Sequence, residues 1–507
     1  MVLVIPLLLS SKWVTEQFFW YILGAILFFI PAGLMFAEYG ATFKEAKGGL
    51  YSWLEQSIGE KWAFIATFMW LASWIIWMVM IAQKIWITLA TIISGHDTTG
   101  SWSLFGMNST MTIGLLAILW VVFVTWAASR GINTLAKVSS LGGLAVMAMN
   151  VILLLASVFI LIANHGHLAQ PINHLSDFAT SPSAQFQNPI AMISFVIYAI
   201  FAYGGLESMG GITDSLDKPE KTFPKGVMIG GIVIAVGYSF AIFLWGVSAN
   251  WHTVILEQKA NLGNITYVMM QNLGLELGKA MGLSSSAAVA LGTAFSRFSG
   301  LGMLLAYVGS FFVLSYSPLK SFILGSPKEL WPKKMTELNK NGMPANSMWL
   351  QAIVVSVFIA GISILASITH KEATFFYNVL TSMSNVSTTL PYIFLVGAFP
   401  FFKAKKDLDR PFEVYRSRPW MLTIVTVVLI TVGVGIVFTA ISPFISGDLF
   451  TGLWTVAGPL FFGLIAWAFL VRREKNKYLI NKNRKFQACA WTYDFICAFY
   501  CQWVCLN

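Results

Sequence analysis

The sequence predicts an all-α polytopic membrane protein, on the basis of its composition, its long apolar runs and the distribution of its basic residues. Of the 507 residues, 57% are hydrophobic and 11% are charged, whereas about a quarter of the residues in a soluble domain are charged. A soluble chain of this length could not enclose so much apolar surface. We therefore expect the lipid bilayer as a partner, and no nucleic acid despite a formal net charge of +10.

Eleven apolar runs are long enough to cross a bilayer as helices, since a crossing takes about 20 mostly apolar residues. They occupy residues 15–38, 62–94, 110–128, 138–163, 189–214, 226–249, 286–318, 347–368, 374–402, 420–444 and 450–471. Two shorter stretches, 44–57 and 261–280, are predicted to form surface helices. The spans predict a membrane domain over residues 1–471 with no appended soluble domain.

The basic residues indicate the orientation of these spans. Of the 32 Lys and Arg residues, 26 fall in one set of alternating loops and the C-terminal tail, and four fall on the opposite side. Basic residues accumulate in the cytoplasmic loops of membrane proteins. We therefore predict a multi-pass protein of the cell membrane whose C-terminus is cytoplasmic.

The C-terminal segment 472–507 differs in character from the rest of the chain. It contains all four cysteines, namely Cys489, Cys497, Cys501 and Cys505. Their spacing matches neither a disulfide framework nor a zinc motif, so we predict no metal and no cofactor. We interpret the segment as a cytoplasmic tail that is disordered or aberrant in origin, with a palmitoylated helix or a pore-blocking plug as alternatives.

The segment Phe201–Asp214, in the fifth complete span, is the most informative part of the chain. Its sequence FAYGGLESMGGITD places Glu207 between two glycine pairs, Gly204-Gly205 and Gly210-Gly211. Each glycine costs about 1 kcal/mol relative to alanine within a helix, and clustered glycines at membrane depth predict a helix break that faces a cavity. The half-helix ends at such a break favour the charges of a polar substrate.

Two interpretations of Glu207 are open. An intramembrane carboxylate is costly unless it is paired, protonated or hydrated, so by default it marks a substrate or proton site. Alternatively, the glycines allow close helix packing, and Glu207 is bonded to backbone or to a buried cation. Arg297, within the seventh span, is a candidate for that cation because it must face a partner or water.

Other side chains within the spans have both a functional and a structural interpretation. Trp70, Trp74 and Trp77 recur at spacings of four and three residues, hence on one helix face. They could line a substrate path together with Arg297, because aromatic faces attract cations, or they could simply pack between helices. Lys84 is expected to extend to the membrane interface.

Several motifs resemble those of the amino acid–polyamine–organocation superfamily. The segment Phe201–Asp214 with the following KPEKTFPK resembles its sixth helix, and GGLYSW at 48–53 resembles its signature after the second helix. Longer strings resemble the glutamate/GABA antiporter group within it; they are FFIPAGLMFAE at 28–38, FLWGVS at 243–248, NLGNITY at 261–267 and KDLDRPF at 406–412. The resemblance covers residues 5–470.

This resemblance implies a twelve-helix carrier with a five-plus-five inverted repeat and a substrate site at the bilayer midplane. It implies a secondary active transporter of the inner membrane, specifically an antiporter for glutamate- or GABA-like amino acids; a proton-coupled amino acid or amine permease is the alternative. By position, Phe201 matches the aromatic gate, Ala202, Tyr203, Gly204 and Gly205 match the unwound substrate-binding segment, and Glu207 matches the carboxylate of pH-dependent coupling. The chain lacks an enzyme motif and the repeated filter or charged ring of a channel.

Two departures from the family pattern bear on activity. If residues 1–10 are the outer end of the first family helix, then most of that helix is missing, and we expect either that the start codon was assigned too late or that the chain is a truncated product that is inactive as written. Val146 stands where proton-coupled members of related groups carry a lysine, which favours exchange over symport. The substrate, the stoichiometry and the oligomeric state stay open.

Overall fold

The computed structural model describes residues 16–46, 49–170, 199–200, 202–250, 254, 263–369, 373–445 and 447–472. Over these residues every regular element is helical, and ten helices are long and apolar enough to cross a membrane. The predicted class, an all-α polytopic membrane protein, is confirmed. The expectations for the first family helix and for the cysteine-containing tail concern residues outside the described ranges.

The helices alternate between long spans and short connecting elements. In chain order they are α1 (Glu16–Gly24), α2 (Ile30–Thr42), α3 (Leu50–Ile58), α4 (Glu60–Ser94), α5 (Ser109–Ala128), α6 (Ile132–Ala163), α7 (Pro219–Ser248), α8 (Ile265–Ala280), α9 (Ser285–Leu314), α10 (Ser317–Leu319), α11 (Lys333–Thr336), α12 (Ala345–Thr369), α13 (Ala373–Gly397), α14 (Phe399–Ala404), α15 (Arg418–Ile445) and α16 (Leu449–Arg472). A π-helical turn, Ala25–Phe29, joins α1 to α2, and another, Lys320–Leu324, follows α10. Segments of 3₁₀ helix cover Thr99–Ser101, Leu206–Ser215 and Lys328–Leu330.

The predicted spans agree with these helices within a few residues, except for 189–214, which falls mostly outside the described residues. The clearest difference is at α7, which begins at Pro219 and not near residue 226. Proline favours the first helical position, where its missing N–H costs nothing. A search for apolar runs missed this start because the first turn of α7 is charged.

Helix α4 is the buried centre of the molecule. Its most apolar window is 89% buried within the protein, whereas the windows of α12 and α15 are only 28% buried. It packs against α3, α5, α9, α12 and α13. A helix that is apolar on all sides and enclosed by protein has no lipid-facing side. The hydroxyls of Thr67 and Ser73 donate to the backbone of α4 itself, whereas its indole N–H groups can be satisfied only by other elements.

Glycine backbones make a close contact on one side of the molecule. A Cβ atom added to Gly49 would lie 2.6 Å from the carbonyl carbon of Gly210, and one added to Gly210 would lie 2.7 Å from the ring of Trp53. Gly49 also has φ +48°, which strains any residue with a side chain. The contact therefore ties the connection between α2 and α3 to the second glycine pair of the segment 206–215.

A buried cluster of ions joins α2, α14 and the connection that follows. The Lys403 Nζ atom lies 2.6 Å from the Glu38 Oε1 atom and 2.6 Å from the Glu413 Oε1 atom, and the Glu38 side chain is fully buried. The Val414 N–H donates to Glu38 Oε2 at 3.3 Å. Glu38, which closes the first span, is therefore a buried ion-pair partner of Lys403.

We predict that acidification weakens this cluster through Glu413, which lies between the spans. The hydrogen bond from Lys403 lowers the pKa of Glu413. A carboxylate with a lowered folded-state pKa stabilises the fold at neutral pH, and this contribution is lost as the pH falls through the lowered pKa. The apparent melting temperature in detergent should therefore fall more steeply below about pH 5 in the wild type than in a Glu413→Gln variant.

The control is the exposed pair formed by Lys279 and Glu276, whose atoms lie 2.8 Å apart. Exposed pairs contribute about 0–1 kcal/mol, so Glu276→Gln should leave the pH profile of the melting temperature unchanged. If Glu413→Gln and the wild type melt with the same pH dependence, Glu413 does not stabilise the cluster as its charged form.

Candidate functional site

The helix break predicted at the first glycine pair is present in the structure. Ala202 and Tyr203 are helical, Gly204 and Gly205 form a turn, and a 3₁₀ segment begins at Leu206. Gly205 has φ +119°, a backbone conformation that is readily available only to glycine. The residue types at 204–205 therefore account for the change of direction that brings Glu207 into the interior.

The Glu207 carboxylate, 1% exposed, accepts hydrogen bonds from three directions. The Trp70 Nε1–H donates to Oε1 at 3.0 Å. The Tyr392 hydroxyl donates to Oε2 at 2.7 Å, and the Gly205 N–H donates to Oε2 at 3.0 Å. Glu207 thus links the break to α4 and α13.

Aromatic side chains hold the residues before the break. The Tyr203 hydroxyl donates to the carbonyl oxygen of Tyr21 at 2.8 Å, and the Tyr238 hydroxyl donates to that of Ala202 at 3.0 Å. The ring of Phe29 stacks on Tyr203 with centroids 4.5 Å apart. The matched segment 202–205 is therefore fixed between α1, the π turn and α7. Phe201, the expected gate, lies outside the described residues.

The three tryptophans of α4 form a continuous buried row. Edge-on ring contacts join Trp70 to Trp74 at 6.4 Å and Trp74 to Trp77 at 6.1 Å, and Trp77 lies 6.5 Å from Phe311 of α9. All three tryptophans are at most 5% exposed. The first of them is part of the site through Glu207. That Trp74 and Trp77 line a substrate path stays a prediction.

Arg297 is not part of this site. Its side chain is exposed and its guanidinium donates to the carbonyl oxygen of Ile93 at 3.1 Å, at the C-terminal end of α4. Such a position suits a cation because the last carbonyls of a helix lack intrahelical partners. The predicted pairing with Glu207 is wrong, because Arg297 is not among the donors to that carboxylate. A path-lining role for Arg297 stays a prediction. The expectation for Lys84 is also wrong, because that residue is only 2% exposed.

Sequence reasoning missed the partners of Glu207. Tyr392 is 185 residues away along the chain and Trp70 is 137 residues away. The only signal near Tyr392 was a run of hydroxyl and amide residues, SMSNVSTT at 382–389, inside an otherwise apolar helix. Among the described residues no group of His, Cys, Asp and Glu could hold a metal ion.

Comparison of the sequence with known proteins places this chain in a family. A model of the amino acid permease family matches residues 14–499. The inner membrane transporter YjeM of Salmonella typhimurium is 51% identical over 450 residues, covering 89% of this chain and 88% of that protein. YjeM of Escherichia coli K12 is 50% identical over 449 residues, covering 88% of each. A glutamate/gamma-aminobutyrate antiporter of Lactococcus lactis subsp. lactis is 23% identical over 407 residues, covering 79% of this chain and 73% of that protein.

We predict that Trp70→Phe destabilises the protein more than Trp245→Phe does. Both indoles are 1% exposed, so both substitutions leave a similar cavity. Only Trp70 donates a hydrogen bond; the Trp245 Nε1 atom is buried without a partner. A hydrogen bond to a charged group contributes about 1.5–3 kcal/mol, and the difference is measurable as a lower melting temperature in detergent. Equal losses would show that Glu207 does not depend on Trp70.

Proposed function

The chain belongs to the amino acid permease family, and on this premise we propose that it is a secondary active transporter that exchanges amino acids by alternating access. It is a membrane transporter and not an enzyme. Its YjeM relatives are inner membrane transporters. We further propose that the C-terminus lies in the cytoplasm, because 26 of the 32 basic residues fall on the same side of the predicted topology as the C-terminus.

The observation that carries the proposal is the buried carboxylate at a helix break. A broken span offers backbone groups to a substrate in the membrane interior. Glu207 joins this break to α4 and α13 through Trp70 and Tyr392. In our proposal, alternating access requires the break to move relative to these two helices, so the bonds to Glu207 must be released and remade in each cycle.

Protonation supplies a means of release. A neutral carboxyl accepts hydrogen bonds more weakly than a carboxylate does, and its own O–H requires an acceptor. In our proposal a proton on Glu207 weakens the bonds from Trp70, Tyr392 and Gly205 together. Transport would then respond to pH even when the transported species are both amino acids.

The substrate site in this proposal comprises Phe201, Ala202, Tyr203, Gly204 and Gly205. Acidic amino acids and their decarboxylation products are the first candidates, because the distant Lactococcus relative is a glutamate/gamma-aminobutyrate antiporter. Proton-coupled uptake of an amino acid or amine is the second candidate function. It is favoured by Glu207, a fully buried carboxylate that can carry a proton.

Exchange is tested in proteoliposomes loaded with one unlabelled amino acid and presented with the same amino acid in labelled form, across glutamate, GABA and a panel of neutral and cationic amino acids. We expect labelled uptake that requires internal substrate. Uptake into unloaded vesicles that a pH gradient drives would support the second candidate. If no amino acid or amine enters under either condition, both candidates fail.

We predict that Glu207→Gln flattens the pH dependence of exchange measured between about pH 5 and about pH 8. Glutamine has nearly the same shape but cannot bind or lose a proton in this range. The weaker bonds to Trp70 and Tyr392 should also change the exchange rate by about tenfold or more, given about 1.5–3 kcal/mol for a charge-assisted bond. Glu276→Gln, on the exposed face of α8, is the control. An unchanged pH profile would remove Glu207 from the coupling role.

A further inference from the structure

Helix α13 carries buried polar atoms that have no hydrogen-bond partner. These atoms are the Ser384 Oγ, both amide atoms of Asn385, the Ser387 Oγ and the Thr388 Oγ1. All four side chains are at most 2% exposed. Each such group costs about 1–3 kcal/mol when it is left unsatisfied, so this set is a large unfavourable contribution unless something binds to it.

Many hydroxyl groups elsewhere in the described spans have backbone partners, and the unpartnered ones there, such as Thr42, Ser248 and Ser363, occur singly. The Thr389 hydroxyl, on the same helix, donates to the carbonyl oxygen of Asn385 at 2.8 Å. The Ser310 hydroxyl, in α9, donates to the carbonyl oxygen of Ala306 at 2.9 Å. The Ser315 hydroxyl, just after α9, donates to that of Phe311 at 2.7 Å. Serine and threonine in helices usually satisfy themselves through the preceding turn. What distinguishes α13 is the density of such groups, because four unpartnered residues fall between positions 384 and 388.

The helical period separates two sides of α13. Met383 faces α16, because a Cβ atom on Gly458 would lie 2.7 Å from its side chain. Tyr392 is nine residues further on, hence on the opposite side of the helix, and its hydroxyl reaches Glu207. Asn385 lies two turns before Tyr392 and Thr388 lies one turn before it, so both are on the side of Glu207. Ser387, one turn after Met383, is on the other side.

Helix α4 provides the facing wall. It runs antiparallel to α13, since Trp62 contacts Phe394 and, further along α4, Trp70 shares Glu207 with Tyr392. One turn beyond Trp70, on the same face, is Trp74, whose Nε1–H is buried without a partner. The donor of Trp74 and the polar groups of α13 therefore lie on the same side of Glu207, within about two turns, or about 10 Å, of it.

We propose that Ser384, Asn385, Thr388 and Trp74 bind the side chain of the transported amino acid, and that this side chain is an uncharged hydrogen-bonding group, an amide or a hydroxyl. The inference rests on the proposed function and replaces its first candidates, the acidic amino acids, with uncharged polar ones. The amide of Asn385 both donates and accepts, hydroxyls do the same, and the indole only donates. Each polar atom of an amide or a hydroxyl can therefore find a matching donor or acceptor among these four residues.

A charged side chain fits this set less well. Burying a charge without an ionic partner costs several kcal/mol. Glu207 is already bound by three donors. Lys84, the buried cation on the tryptophan face of α4, is seven residues beyond Trp77, about 10 Å further along the helix. The four residues of the proposed site carry no charge of their own.

The experiment compares amino acids as competitors of exchange and as stabilisers of the purified protein in detergent. We expect glutamine, asparagine, serine or threonine to compete and to raise the melting temperature more than glutamate, lysine or leucine does. Asn385→Leu should weaken the preferred amide or hydroxyl substrate by about tenfold or more, since it leaves that group unsatisfied. Thr388→Val should act in the same direction and less strongly. Asn385→Asp should shift the preference toward lysine.

The matched control is Thr389→Val, on the same helix, because its hydroxyl already bonds to backbone. It should leave the order of substrates unchanged. Size-exclusion profiles of all variants exclude misfolded protein, and Thr388→Val replaces Asn385→Leu if the latter does not fold.

The outcomes separate this inference from the proposed function. Exchange with an unchanged substrate order in Asn385→Leu and Thr388→Val overturns the inference and leaves the transporter proposal standing. Exchange of glutamate that depends on Lys84 and not on Asn385 also overturns it. Stabilisation by glutamine that Asn385→Leu abolishes supports the site even if no exchange is detected, in which case the exchange proposal alone fails.

Discussion

The carboxylate of Glu207 is the interaction on which the centre of this structure depends. This side chain lies in the interior of a membrane protein, where a carboxyl group without partners is costly. Compensation comes from one backbone N–H, one indole and one phenol, each on a different element. None of these donors carries a charge. The carboxylate therefore holds the helix break, α4 and α13 together without an ion pair.

A second buried carboxylate is satisfied in a different way. Glu38 is neutralised by Lys403, which it shares with Glu413, and it lies where α2 meets α14. Full charge pairing suits a joint that keeps its geometry, because removing one partner of a buried pair is strongly unfavourable. The protein thus uses neutral donors at the break and a cation at the other carboxylate.

The sequence predicted the parts of this arrangement that depend on local pattern. Apolar length and the glycine pairs were sufficient for the spans and for the break at Gly204-Gly205. They were insufficient for the partners of Glu207, because Trp70 and Tyr392 are brought to it only by the packing of helices distant in the chain. Arg297 was misplaced because position along a span does not define the side of the helix; its guanidinium caps the end of α4. The unpartnered groups of α13 became recognisable only once burial was known.

The close approach of Gly49 to Gly210 has a consequence for how the two segments separate. Interlocked side chains must change rotamer before they part, and they leave voids behind. Gly49 and Gly210 instead meet backbone to backbone, so no rotamer at either position holds the two segments together. The same backbone approach makes the contact intolerant of evolutionary drift, since a methyl group at Gly49 would meet the backbone of Gly210 at 2.6 Å and no neighbouring side chain could be trimmed to make room. The composition of this contact is therefore fixed by its geometry.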